Sequence, residues 1–199
     1  MDETATTPHT TSDGAMAKNI ESIEYIDHME QKLTTIRDEL CRFIRLNEQE
    51  RWEETLGAVE QLEHFGDDLI PGLIECLSDG NPDVRHQAVR LLGNARPRSD
   101  VAVPDLIERL NDDDWLIVTS VIFRLAKFGP LAAAAIPQIE LWLQSPNEYI
   151  RLLAATTITK LDPDRTDLLP LIWTATESDY PAVESFARDF FDKSALLED

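Results

Sequence analysis

The sequence repeats itself every 33 residues over most of its length. An apolar residue followed by proline recurs at Ile70-Pro71, Val103-Pro104, Ile136-Pro137 and Leu169-Pro170. Further apolar columns keep the same spacing, as in Val84, Ile117, Ile150 and Val183. A fixed period of about 20 to 50 residues is typical of solenoids, in which each unit buries its apolar face against its neighbours.

Each repeat predicts two helices, which we call helix A and helix B. Proline fits the first turn of helix A, where its missing N–H is not needed. A polar side chain marks the following turn, and helix B ends near the next proline. The predicted repeats cover residues 69–101, 102–134, 135–167 and 168–199. We therefore expect an all-α fold, a right-handed α-α superhelix of four to five helical hairpins.

The segment before the repeats divides into two parts. Residues 1–18 are rich in Thr, Asp and Ala and lack apolar periodicity, which predicts a disordered tail. Residues 19–66 predict a helical hairpin, in which Asn19 caps the first helix and Gly66 ends the second.

A heptad pattern runs through the first of these helices. From Ile26 to Phe43 the apolar residues follow alternating steps of three and four. The pattern is shorter than the three to four heptads typical of a coiled coil, which favours packing on the neighbouring helix. The alternative is a homodimer contact through residues 26–43.

The charge of the chain limits its partners. Asp and Glu number 38 against 18 Lys and Arg, a net charge of −20. Such a surface repels phosphate backbones and anionic lipids, so we expect no nucleic-acid or membrane partner, whereas a basic protein partner fits the charge. Neither a membrane-length apolar run nor a signal-peptide pattern is present, which predicts a cytoplasmic protein. An acidic composition also suits a salty medium, and that interpretation stays open.

The sequence carries no recognisable catalytic motif. Glycine-rich phosphate loops, HExxH and GxSxG are absent, and the four histidines are scattered over a tail and three separate helices. We therefore predict no enzymatic activity, no metal and no cofactor.

Three segments carry a family resemblance. They are LIPGLIECLSDGNPDVRHQAVRLLGNARP, AVPDLIERLNDDDWLIVTSVIFRLAKFGP and AIPQIELWLQSPNEYIRLLAATTITKLDP. They resemble HEAT repeats, in the variety found in phycobilisome-lyase-type proteins. Aligning Phe65-Gly66 with Phe128-Gly129 makes residues 19–66 a divergent first repeat with an extended helix A.

The resemblance implies a structural ladder between repeats. In the family, an Asp in the turn and an Arg at the start of helix B form this ladder. The matching residues here are Asp79, Arg85, Asp112 and Arg151. Asp112 is expected to join either Arg85 or Arg151, because the second repeat has Val118 at the Arg position and the third has Ser145 at the Asp position.

The resemblance also implies that helix B lines a concave side, where a partner would bind. The predicted partner-binding residues are His86, Arg90, Thr119, Phe123, Leu152, Thr156, Ser185 and Asp189. This surface is predicted to change from basic through apolar to acidic. Phe123 is the candidate anchor, since aromatic residues are favoured at interfaces, although single exposed apolar residues are also ordinary.

These observations predict a non-catalytic scaffold or adaptor that binds another protein on its helix B face. Two alternatives remain at this point. One is a lyase or chromophore-handling accessory protein, which the phycobilisome-lyase resemblance implies. The other is a structural component that self-associates through the N-terminal helix.

Overall fold

The computed structural model of the chain describes residues 12–95 and 99–195, which are predominantly helical. The described residues form ten α-helices: α1 (Ser12–Glu48), α2 (Trp52–His64), α3 (Leu69–Cys76), α4 (Pro82–Asn94), α5 (Val103–Glu108), α6 (Trp115–Leu125), α7 (Ile136–Glu140), α8 (Glu148–Leu161), α9 (Leu169–Thr174) and α10 (Pro181–Ala195). The predicted all-α solenoid is confirmed.

The helices of the repeats lie in two layers. Helices α4, α6, α8 and α10 pack side by side and form the B layer. Helices α3, α5, α7 and α9 form the A layer, and each of the last three ends in a short 3-10 turn that packs on the B helix of its own repeat. One small-residue column is fully buried in the B layer, at Ala88, Val121, Ala154 and Ala187. These short side chains let neighbouring helices approach closely.

Helix α1 is longer than the sequence predicted. It begins at Ser12, seven residues before Asn19, so residues 12–18 are helical rather than disordered. This stretch has no apolar stripe to signal a helix, but Ala15, Met16, Ala17 and Lys18 are all strong helix formers. The rest of the predicted tail, residues 1–11, lies outside the described residues.

Helix α1 packs against the first repeat. It contacts both α3 and α4, as each B helix contacts the next repeat, while α2 packs on α1. The Ile36 side chain meets Gly72 on α3, where a Cβ atom would lie 2.4 Å from Ile36 Cδ1. Lys32 Nζ also pairs with Asp68 Oδ2 at 2.7 Å. Helix α1 thus packs on both helices of the first repeat, and the assignment of residues 19–66 as a divergent first repeat stays a prediction.

The two halves of the α1 heptad stripe differ in burial. Ile36 and Leu40 are fully buried in the core, whereas Ile26 is 53% exposed. The stripe thus packs within the chain over its C-terminal half, as the intramolecular alternative predicted. A homodimer contact over the whole of residues 26–43 does not fit, because Ile36 and Leu40 are already covered.

Candidate functional site

The turn between helix A and helix B is built in the same way in all four repeats. A side-chain oxygen of the first turn residue accepts a hydrogen bond from the backbone N–H two residues later, which is the local geometry that Asp and Ser favour. The four pairs are Asp79 with Asn81 (2.8 Å), Asp112 with Asp114 (3.0 Å), Ser145 with Asn147 (3.2 Å) and Ser178 with Tyr180 (3.2 Å). The turn therefore places the residue at the start of each B helix reproducibly.

Arg85 and Asp112 join the first two repeats. Arg85 Nε donates to Asp112 Oδ2 at 2.9 Å and Nη2 donates to Oδ1 at 2.8 Å, while Nη1 donates to the Asp79 carbonyl oxygen at 2.9 Å. The two side chains are only 11% and 3% exposed. The bond to Asp112 raises the pKa of Arg85. Burial is the largest single influence on Asp112 and would raise its pKa, but the Arg85 bond, the Asp114 N–H bond, a side-chain bond with Asp113 and the Arg85 charge together hold that pKa below its usual range. This two-bond pair is strong and geometrically specific.

A second pair ties α1 to the first repeat. Arg37 on α1 binds the Asp79 carboxylate, with Nε donating to Oδ2. Burial favours the protonated form of Asp79, yet the Arg37 and Asn81 N–H bonds outweigh it and lower the pKa of Asp79. The neighbouring Cys76 thiol has its pKa raised to about 11, chiefly by burial and also by the Asp79 charge. Asp79 is thus part of the ladder, but its partner lies on α1.

Arg151 does not join Asp112. Its Nη1 donates to the carbonyl oxygens of Ser145 at 2.7 Å and Pro146 at 3.0 Å, in its own repeat. The alternative that paired Asp112 with Arg151 was therefore wrong, because Arg85 from the preceding repeat holds the Asp112 carboxylate.

The predicted partner-binding residues separate into exposed and buried groups. Arg90, Phe123, Ser185 and Asp189 are exposed, and His86 and Thr119 are half-buried. Leu152 and Thr156 are each only 1% exposed, so the prediction that they lie on the accessible face was wrong. Both lie on α8, which has α6 on one side and α10 on the other. The Thr156 side chain is too short to reach solvent past the side chains of the two neighbouring helices. Its hydroxyl donates a hydrogen bond to the Leu152 carbonyl oxygen at 2.9 Å.

A group of basic side chains lies on α4 and at the C-terminal end of α6, and we call it the basic patch: His86, Arg90, Arg124 and Lys127, with the Phe123 ring beside Arg124. Arg90, Arg124 and Lys127 carry its positive charge, because the lowered pKa of His86 favours the neutral imidazole. Arg124 Nη1 and Lys127 Nζ both donate to Asn94 Oδ1, at 2.9 and 2.7 Å. The Arg124 guanidinium also lies 5.3 Å from the centre of the Phe123 ring, within the range of a cation–π contact.

The cations of the basic patch are close enough to disfavour one another's charge. Burial and then the Arg90 charge lower the pKa values of His86 and Arg124, and burial and then the Arg124 charge lower the pKa of Lys127. Within residues 12–95 and 99–195, neither Arg90 nor Arg124 has a carboxylate oxygen within 4 Å of its guanidinium. The patch is therefore a local positive surface on a chain of net charge −20.

Sequence reasoning found Arg90 and Phe123 but missed Arg124 and Lys127. Lys127 was open to prediction, because it lies one helical turn beyond Phe123 and 33 residues after Asn94. Arg124 depends on tertiary packing: a Cβ atom at Gly93 would lie 2.5 Å from Arg124 Cδ. The bare backbone of Gly93 thus admits the aliphatic part of the Arg124 side chain against α4.

The described His, Cys, Asp and Glu side chains form no group of three or more that could hold a metal ion. Within the same residues, every helix is too short or too polar to cross a lipid bilayer.

Comparison with known proteins agrees with the repeat geometry. The family model for HEAT repeats matches residues 43–126 and 68–158, together more than half of the 199-residue chain. This general model does not test the phycobilisome-lyase variety, which stays a prediction. A search of curated proteins gave no significant match. HEAT-repeat proteins are typically non-catalytic scaffolds that mediate protein–protein interaction. The two layers of paired helices, the Asp–Arg ladder and the family match all lead to one assignment: the chain belongs to the HEAT-repeat family.

Proposed function

We propose that the chain is a non-catalytic protein-interaction module, and that its B layer binds an acidic segment of a partner at the basic patch. The observation that carries the proposal is the local charge. Arg90 lies close enough to Arg124 for its charge to lower the pKa of Arg124, and neither guanidinium has a carboxylate partner in the described structure, although the chain has 38 acidic residues.

The electrostatics of the patch favour an anionic partner. Adjacent cations destabilise one another, so a carboxylate placed between them relieves that repulsion as well as adding its own attraction. Arg124 is half-buried, and partly buried charges are screened by salt less than exposed ones. Charge complementarity of this kind contributes specificity and a fast association rate.

Phe123 supplies the apolar part of the same surface. It is 42% exposed between the cations of α4 and α6. Interfaces draw much of their binding energy from a few aromatic and arginine side chains near their centre. We therefore expect the partner segment to combine acidic residues with at least one apolar side chain that covers the Phe123 ring.

The overall charge and the local charge act on different parts of a partner. The net charge of −20 attracts basic surfaces at long range, as the sequence predicted. The basic patch is a local region of positive charge, and Asp83 and Asp114 at the N-terminal ends of α4 and α6 lie close enough to His86 for their charges to oppose the lowering of its pKa. A partner with an acidic segment beside a basic surface fits both charges.

Site-specific photo-crosslinking tests the proposal. A photoreactive phenylalanine replaces Phe123, and the matched control carries it at Leu141, which is 76% exposed in the A layer. In native extract we expect a discrete crosslinked protein from position 123 and none of the same mass from position 141. The additional change Arg90→Glu should abolish the product. Equal crosslinking from both positions, or a product that survives Arg90→Glu, would contradict the proposal.

A further inference from the structure

A cavity of about 550 Å³ lies between the third and fourth repeats, beside the N-terminal turns of α8 and α10. The side chains that matter here are Glu148, Tyr149, Arg151 and Tyr180. None of them belongs to the basic patch, so the inference drawn from this cavity is independent of the proposed function.

Arg151 is held in the same pose as Arg85. Arg85 Nη1 donates to the carbonyl oxygen of Asp79, the first turn residue of its repeat. Arg151 Nη1 donates to the carbonyl oxygen of Ser145, which is the equivalent turn residue two repeats later. The guanidinium is thus anchored at one end in both repeats by the same backbone contact.

The Nε–Nη2 edges of Arg85 and Arg151 have different hydrogen-bond partners. In Arg85, Nε and Nη2 bind the two carboxylate oxygens of Asp112, and Nη2 also binds Asp113 Oδ1 at 3.0 Å. Asp179 is the counterpart of Asp113 in the fourth repeat, and it forms no ion pair with Arg151 among the described residues. The counterpart of Asp112 is Ser178, whose hydroxyl still accepts the turn hydrogen bond from the Tyr180 N–H. Serine therefore keeps the turn but supplies no carboxylate. Within the described residues, the hydrogen bonds of Arg151 all come from Nη1, which leaves its Nε–Nη2 edge facing no protein acceptor.

We propose that this cavity binds a carboxylate from the acidic side chain of a peptide, which binds the Nε–Nη2 edge of Arg151, the edge that Asp112 occupies on Arg85 at the first junction. The planar guanidinium edge matches a carboxylate through two parallel hydrogen bonds. Tyr149 and Tyr180 flank the site and are 41% and 65% exposed, so their rings are available to the atoms that carry the carboxylate. Glu148 also lines the cavity, and its charge opposes the incoming anion.

The test follows the Arg151 Nε–H resonance by NMR. The probe is N-acetyl-aspartate N-methylamide, and the neutral control is the matching asparagine derivative, both titrated to about 50 mM because a single ion pair binds weakly. We expect a saturable shift with the aspartate probe and none with the asparagine probe. Glu148→Gln should strengthen binding, since it removes the opposing charge. Inorganic phosphate at matched ionic strength tests a free anion, and equal binding of phosphate would overturn the carboxylate assignment.

A ladder-restoring variant gives an independent readout. Ser178→Asp should fill the position internally, raise the melting temperature, and weaken the aspartate probe by about tenfold or more. Ser178→Asn, which keeps the turn hydrogen bond without a charge, should leave probe binding unchanged. If the chemical shift of the Arg151 Nε–H resonance does not change when the aspartate probe is added, the proposal is overturned. A Ser178→Asp variant that melts no higher than Ser178→Asn and binds the probe like the wild type would also overturn it.

Discussion

The first two junctions between repeats are stabilised by different interactions. Repeats one and two share the buried Arg85–Asp112 ion pair. At the next junction the equivalent positions are Val118, which is buried, and Ser145, so neither charge is present. The two members of the pair are replaced together. A buried charge that has lost its partner is costly, whereas a well-packed apolar contact can substitute for the whole pair.

The third junction keeps one member alone. Arg151 remains while Ser178 replaces the acid, so the Nε and Nη2 groups that bind Asp112 in Arg85 have no hydrogen-bonded carboxylate here among the described residues. A cavity lies beside Arg151, and the equivalent cavity, of about 390 Å³, lies beside Arg85 at the first junction. The contrast indicates that a solenoid can change its ladder at one junction without disturbing the others, since each repeat contacts only its neighbours.

The largest effect is expected from breaking the first junction. Asp112→Ala removes the carboxylate that binds Arg85 through two hydrogen bonds and leaves Arg85 with only the exposed Asp113 as an acidic partner, which should cost about 3 kcal/mol of unfolding free energy. Urea denaturation measures the loss. Glu54→Ala is the control, because the Arg51–Glu54 pair is exposed, and such pairs contribute less than about 1 kcal/mol. A loss for Asp112→Ala no larger than the control's would show that the ladder is not structural.

A smaller loss of unfolding free energy is expected when the first junction receives the residues found at the second. The double variant Arg85→Val with Asp112→Ser removes both charges and should cost about 1 to 2 kcal/mol, less than Asp112→Ser alone. The same denaturation experiment on the single and double variants gives the coupling between the two residues. Strictly additive losses would contradict the view that the pair is replaced as a unit.

Arg37→Ala should cost less unfolding free energy than either change at the first junction, because exposed ion pairs contribute little to stability. The Arg37 side chain is 47% exposed, and Asp79 keeps its hydrogen bond from the Asn81 N–H after the arginine is removed. Loss of amide protection in α1 alone, followed by hydrogen exchange, would locate the effect at the α1 junction. Protection lost equally across α4 and α6 would contradict a local role.

Acid should weaken the junctions that carry aspartate. The pKa of Asp112 is lower in the folded protein than in the unfolded chain, so the unfolded chain binds more protons as the pH falls. The stabilisation is complete above the unfolded pKa of about 3.9 and is lost as the pH falls through the folded value. Unfolding free energies measured from about pH 6 to pH 3 should therefore fall less steeply in the Arg85→Val, Asp112→Ser variant. If the unfolding free energy falls with pH at the same rate in both proteins, groups other than Asp112 cause the acid sensitivity.

The period of the sequence predicted the fold, because its apolar columns recur in register. The family resemblance offered Arg85 or Arg151 as the partner of Asp112, and only the packing of the first two repeats decides for Arg85. Arg37 lies outside the 33-residue register, so its pairing with Asp79 had no sequence signal. The burial of Leu152 and Thr156 depends on how far the side chains of the neighbouring helices extend over α8. The periodicity of the α8 sequence alone does not contain that information. The position of Arg124 likewise depends on the missing side chain of Gly93.

The central claim is that the B layer binds its partner through the basic patch. Its most direct test is the dissociation constant of the partner captured at position 123, measured by calorimetry for wild type, for Arg90→Glu with Phe123→Ala, and for Leu141→Ala. The account predicts at least about a hundredfold weaker binding for the double variant, equivalent to about 2.7 kcal/mol, at an unchanged melting temperature. It predicts wild-type binding for Leu141→Ala. Full affinity in the double variant, or a loss confined to Leu141→Ala, would contradict it.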